Sequence, residues 1–167
     1  MLKVKLGRAV VSAVLIGAVL APQASADTIR ATLDGKRIRV ERVGSLNCHD
    51  FDYPTIRCFS SVDRLATDIA ARLAAKDAAG ARLLQAGYVT VYADASYGTP
   101  LISLASDHTS LSSIGWNDRI SSFKSFGASG TFWEHSPSGG SAYGYGPTTQ
   151  VATLGSYNDT FSAFYNN

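Results

Sequence analysis

The chain has 167 residues, with 15 Lys or Arg against 13 Asp or Glu and a formal net charge of +2. Three of those cations, Lys3, Lys5 and Arg8, sit in a leader; without them twelve cations face thirteen carboxylates, a net charge of about −1. That balance excludes a polycationic nucleic-acid binder, and the 141 residues after residue 26 suffice for one domain or a small pair.

Residues 1–26 read as a secretory signal. The basic start is followed by an apolar run over residues 9–20, a break at Pro22, and a small-x-small cleavage site at Ala24-Ser25-Ala26. The run is short for a membrane span, so a retained anchor is the weaker reading, and no later stretch is long and apolar enough to cross a bilayer. A secreted protein without a membrane span is expected.

Residues 27–87 are expected to form an α+β segment. Asp34-Gly35 is a hairpin dipeptide, so residues 28–33 and 37–43 are predicted as paired strands. Cys48 and Cys58 are the only cysteines, and in an oxidising compartment they are expected to form a disulfide. Such a bridge contributes roughly 2–3 kcal/mol by restricting the unfolded chain. The residues between them, His49, Asp50, Asp52, Tyr53 and Pro54, match no zinc spacing and are expected in a solvated loop. A cysteine nucleophile beside His49 is a poor alternative, because a paired cysteine is not nucleophilic. Ser60-Ser61-Val62-Asp63 then resembles a helix start. Val62, Leu65, Ile69 and Leu73 recur on one face, which predicts an amphipathic helix of 17–19 residues ending near Gly80. A second short helical stretch is expected over residues 81–86.

Composition changes at Gly87. Residues 27–87 carry ten Lys or Arg and eight Asp or Glu, whereas residues 88–167 carry two and five and are rich in Gly, Ser and aromatic residues. The second half repeats with an offset of 41 residues, giving units of about 88–128 and 129–167. Tyr92 aligns with Trp133, Gly98 with Gly139, Asn117-Asp118 with Asn158-Asp159, Ser121 with Ser162, and Phe123 with Phe164. Units of this size, with several short strands, suit a four-stranded Greek key, and two of them can bury a core that one cannot.

The pattern Tyr92-x4-Tyr97-Gly98, followed by Asn117-Asp118-Arg119-Ile120-Ser121-Ser122, resembles the microbial βγ-crystallins. That resemblance implies a double Greek-key sandwich over residues 88–167, so the expected fold is mainly β, preceded by the small α+β segment. It also implies calcium binding. In the family, Asn/Asp-Asn/Asp-x-x-Ser/Thr-Ser is a calcium clamp used twice per domain. The second copy here, Asn158 to Ala163, ends in alanine instead of serine.

Carried over residue by residue, Ser121 and Ser162 supply hydroxyl ligands and Arg119 and Thr160 supply backbone carbonyls. The side chains of Asn117, Asp118, Asn158 and Asp159 complete or bridge the sites, and a further carbonyl comes from Ala93 or Glu134 in the first hairpin of each repeat. Every donor is an oxygen, which suits a hard cation, with dissociation constants expected at ~10⁻⁵–10⁻³ M. The bland alternative is that these motifs only make Asx and Ser turns at a β-arch.

Repeat two departs further from the pattern. Ser138 replaces the second aromatic residue, so a weak corner and a long mobile loop over residues 136–147 are expected. In repeat one Thr99 stands where the family has glycine, with Gly98 beside it.

His108 and His135 are expected on loops, and Trp116 and Trp133 in packing roles ahead of sugar stacking. No Gly-x-Ser-x-Gly context supports a hydrolase, so no enzyme is expected. The leading reading is a secreted calcium-stabilised protein with structural or protective work outside the cell. The alternative is an inhibitor of secreted metalloproteinases, with a protease or other extracellular protein as partner. The absence of cysteine from residues 88–167 weighs against a rigid inhibitory loop.

Overall fold

The computed structural model describes residues 28–79 and 87–167. The leader expected over residues 1–26, the helix end expected near Gly80 and the helical stretch expected over residues 81–86 lie outside these residues. Strands β1 (Arg30–Leu33) and β2 (Lys36–Ile38) form the expected hairpin. Asp34 and Gly35 both take positive φ, 47° and 81°, the conformation a two-residue turn needs to match strand twist. The second strand is shorter than expected. From Val40 to Ser45 the chain coils into a 3₁₀ turn that buries Val43 and Gly44. Gly44 lies so close to Gly115 that a Cβ there would come within 2.1 Å of the Gly115 carbonyl oxygen.

Strands β3 (Asn47–Asp52) and β4 (Thr55–Phe59) pair antiparallel, with Cys48 directly opposite Cys58 and the two joined in a disulfide. The residues expected in a solvated loop therefore make a hairpin, with His49 and Asp50 wholly buried. The cause is position, since β3 lies inside the sheet with a neighbour on each side. Helix α1 (Val62–Ala79) follows as expected, and the Ser61 hydroxyl accepts the Arg64 N–H at 3.3 Å. It buries Leu65 against Phe59 and Leu101, with Ile69 and Tyr92 at the margin, while Val62 remains 40% exposed. Among the described residues, no helix is long and apolar enough to cross a membrane.

Repeat one supplies β5 (Tyr88–Asp94), β6 (Gly98–Leu104) and β7 (Ser122–Phe126). Repeat two supplies β8 (Gly130–His135), β9 (Gly139–Tyr145), β10 (Gln150–Val151) and β11 (Ala163–Asn166). Each repeat sends its third segment to the other sheet. Strand β10 pairs β7 with Val151 opposite Phe123, and the His108 segment bridges β11 at Phe164, the residue 41 positions after Phe123. Exchanged third strands are what make the two units one double Greek key. The expected long loop over residues 136–147 is not one. Strand β9 occupies most of it, because Tyr143 and Tyr145 turn inward onto Phe123, Phe132 and Phe161.

The N-terminal strands continue the first sheet. Strand β3 adds in parallel to the outer edge of β6, aligning Cys48 with Ile102 and His49 with Ser103, which gives an eight-stranded order β10-β7-β5-β6-β3-β4-β1-β2. The second sheet is β11-β8-β9. A single core runs through both halves, joining Ala31, Val43 and Ile56 to Val91, Ile102, Trp116 and Phe132.

Two His–Asp pairs fasten the structure: Asp50–His108 joins the two halves, and His49–Asp68 holds helix α1 on β3. Asp50 accepts hydrogen bonds from the N–H groups of Ala105 and Ser106, at 2.6 and 3.1 Å, and lies 2.8 Å from His108 Nε2. His108 is thus a buried anchor, 2% exposed, and not the loop residue expected. His49 lies 2.8 Å from Asp68 on α1 and accepts the Phe51 N–H at Nδ1, which leaves Nε2 as the donor to Asp68. Arg57 and Arg72 share the same carboxylate.

Burial holds the His49 pKa below its ordinary 6.5, outweighing the pull of Asp68. The unfolded chain therefore binds the proton more readily, and stability is lost as pH falls below about 6.5. Thermal melts should show Tm declining from pH 7 toward 5.5, and His49→Phe should flatten that limb. Asp50→Ala should cost about 3 kcal/mol in denaturant melts, by leaving two backbone N–H groups and His108 without their acceptor.

Candidate metal centre

The two Asn-Asp motifs form arches that enter β7 and β11, and they match residue for residue. Asp118 and Asp159 both adopt left-handed backbone, φ 52° and 55°, a region that Asp tolerates better than most residues. The Asn117 amide donates to Asp118 Oδ2 at 2.6 Å, and the Asn158 amide donates to Asp159 Oδ2 at 2.7 Å. The arches also hold each other. The Asp118 N–H donates to the Phe161 carbonyl at 3.0 Å, and the Asp159 N–H donates to the Ile120 carbonyl at 3.1 Å. Each serine ties its arch to its own hairpin, Ser121 N–H to the Tyr92 carbonyl at 2.9 Å and Ser162 N–H to the Trp133 carbonyl at 2.8 Å.

Oxygens converge at Ser121. Its Oγ lies 2.7 Å from the Ala93 carbonyl oxygen and 3.1 Å from Asp159 Oδ1. One hydroxyl hydrogen cannot serve both acceptors at full strength. The group is therefore a carboxylate, a carbonyl and a hydroxyl drawn together from both repeats, with Asp159 crossing from the second arch to the first. Among the described residues no group of three or more His, Cys, Asp or Glu could hold a metal ion. A hard cation does not need one, because carbonyls and hydroxyls complete its shell.

The remaining expected ligands are placed as follows. The Asn117 and Asn158 amides are committed to the adjacent carboxylates and orient them. The Arg119 guanidinium lies 5.9 Å over the Trp116 ring. The Thr160 hydroxyl donates to the Tyr157 carbonyl at 2.9 Å, locking the second arch. Glu134 accepts the Ser141 N–H at 2.8 Å, and that hydrogen bond lowers its pKa. Among the described residues the Ser162 hydroxyl makes no hydrogen bond equivalent to that of Ser121 to Ala93, so the second oxygen group is less drawn together.

The terminal serine of the first motif has its own work. Ser122 Oγ accepts the Tyr97 N–H at 3.0 Å and donates to the Asp94 carbonyl at 2.7 Å, fastening the β5–β6 turn, where Ser96 and Tyr97 both have positive φ. Tyr92 and Tyr97 meet edge to face at 5.5 Å to complete that corner. Ala163 cannot act this way, and in repeat two Tyr165 Oη donates to the Pro137 carbonyl at 2.8 Å instead. Gly98 serves the fold as expected of it, since a Cβ there would come within 2.6 Å of the Asp94 Cβ. The crossing of Asp159 to Ser121 carries no signal in the spacing.

No family model matches the sequence, and no curated protein matches it. Solved structures similar to this chain are βγ-crystallin domains. One is a beta gamma crystallin from Ciona intestinalis, with 21% identity and a TM-score of 0.44, covering 48% of this chain and 100% of that one. A second is a betagamma-crystallin from an Archaea, with 26% identity and a TM-score of 0.43, covering 49% and 99%. A third is a double mutant of a betagamma-crystallin domain from Clostridium beijerinckii, with 28% identity and a TM-score of 0.42, covering 47% and 94%. The double Greek key itself is defined by the strand exchange within this chain.

The asymmetry of the arches gives a direct test. In chelator, Ser121→Ala should lower stability by about 1 kcal/mol, because the Ala93 carbonyl and Asp159 lose their donor. Ser162→Ala should stay within about 0.5 kcal/mol of the parent. Denaturant melts of the two variants measure the difference.

Proposed function

We propose that this protein is a secreted calcium-binding member of the microbial βγ-crystallin type, in which the ion stiffens the fold for structural or protective work outside the cell. One observation carries the reading: the convergence of the Ala93 carbonyl, the Ser121 hydroxyl and the Asp159 carboxylate on one small volume. At the first site the Arg119 carbonyl would join them. At the second, Ser162, Asp118 and the carbonyls of Glu134 and Thr160 are the matching donors. Bound calcium supplies a positive charge that relieves the crowding of these oxygens.

The chain's own residues do the rest. Asn117 and Asn158 hold the carboxylates in place, and the reciprocal arch bonds fix the distance between repeats. Because Asp159 reaches across the arch pair to Ser121, an ion there would cross-link two units that otherwise meet through core packing and a few backbone bonds. Export is supported by the leader composition and by the Cys48–Cys58 disulfide, which persists in oxidising surroundings.

An ion that binds only the folded state adds about 2.7 kcal/mol at a hundred times its dissociation constant. With a dissociation constant of ~10⁻⁵ M, millimolar calcium should therefore raise Tm by roughly 5–10 °C over chelator, and by less if binding is weaker. Trp116, buried and one residue before Asn117, should report binding by fluorescence. Asp159→Ala should remove most of the shift. Identical melts in calcium and chelator overturn the reading.

A further inference from the structure

Strand β9 and strand β6 are counterparts, 41 residues apart, yet their outer edges differ. The edge of β6 is closed by β3 in parallel, whereas β9 ends its sheet. The edge equivalent to that of β9 thus already receives a strand within this fold.

The other edges are closed or guarded. Strand β2 carries Lys36 and Arg37, a common device against edge pairing. Strand β10 is two residues long. The outer edge of β11 is covered by the His108 segment through reciprocal bonds of 2.8 and 2.9 Å with Phe164. Among the described residues, strand β9 has none of these defences. It is seven residues long, Gly139–Tyr145, without a charge, a proline or a lysine. Tyr143 and Tyr145 fix its inner face in the aromatic core, so the strand is held ready, while Gly140, Ser141, Ala142 and Gly144 are exposed.

We propose that β9 is the contact between two copies of this chain, pairing antiparallel with its own copy about a two-fold axis near Ala142. The three-stranded sheets then join into one of six strands. A two-fold contact sets each residue against its own counterpart or a near neighbour, so any charge in the strand would meet itself. The neutrality of β9 removes that penalty, whereas the cations of β2 impose it. Backbone hydrogen bonds supply the affinity, and the small residues Ala142 and Gly144 leave the outer surface of the joint flat.

The test is sedimentation of the secreted protein over a wide concentration range, with Ala142→Lys and Ala142→Glu as variants. The parent should show a concentration-dependent monomer–dimer equilibrium. Each variant alone should dissociate roughly tenfold more readily or more, because like charges then face each other. Mixing the two should restore the dimer, which also shows that both variants fold. A parent that stays monomeric throughout overturns the proposal. So do variants that dimerise as the parent does, or a mixture no tighter than either variant alone.

Discussion

The reciprocal pair of backbone hydrogen bonds, Asp118 N–H to Phe161 and Asp159 N–H to Ile120, is the constraint from which the second half is organised. It sets the two repeats about a pseudo-two-fold axis and brings a carboxylate of one arch to the serine of the other. Both Asp residues take left-handed backbone where the arches meet. The strand exchange, with β10 on β7 and His108 on β11, then encloses Trp116, Phe123, Phe132 and Phe161 between the sheets. Each arch is thus both a turn and half of an interlock.

The repeat was legible because offset 41 places equivalent aromatic, glycine and serine residues at equivalent stations, and the structure keeps the same offset in its strands. The Asp34-Gly35 hairpin and helix α1 were legible for local reasons: a dipeptide that accepts positive φ, and an apolar stripe at helical spacing. What escaped was decided by tertiary position. His49 and Asp50 look like loop residues because they are polar and lie between two cysteines. They are buried because β3 joins the edge of β6, a parallel pairing across more than fifty residues that no local pattern announces. Strand β9 was hidden by composition, since Gly, Ser and Ala give no strand signal, and two inward tyrosines decide its course. Ser121 and Asp159 are both candidate ligands by their motifs; that their side chains meet across the two repeats follows from the interlocked arches, which neither motif announces by itself.

The Asp50–His108 pair shows how a polar N-terminal segment is joined to an aromatic module. Asp50 satisfies two backbone donors beyond β6 and holds the His108 ring, so the exchanged segment of repeat one is pinned from the N-terminal side. Within the N-terminal segment, His49 and Asp68 tie the helix to β3, with Arg57 and Arg72 balancing the carboxylate. Buried polar groups of this kind contribute little net energy when satisfied and cost much when one partner is lost. For Asp50 and His108 the effect is to fix how the two halves meet.

The close approach of Gly44 to Gly115 ties the turn after β2 to the chain just ahead of the first arch. Residues that look like a prelude in the sequence are therefore a wall of the site region. A shortened protein starting at Tyr88 would keep both arches, yet lose the support beneath Gly115 and uncover the β6 edge as well as the β9 edge. The two repeats are alike in plan, but one of them was completed by borrowing strands from upstream. That loan leaves the halves of a symmetrical fold with unequal independence.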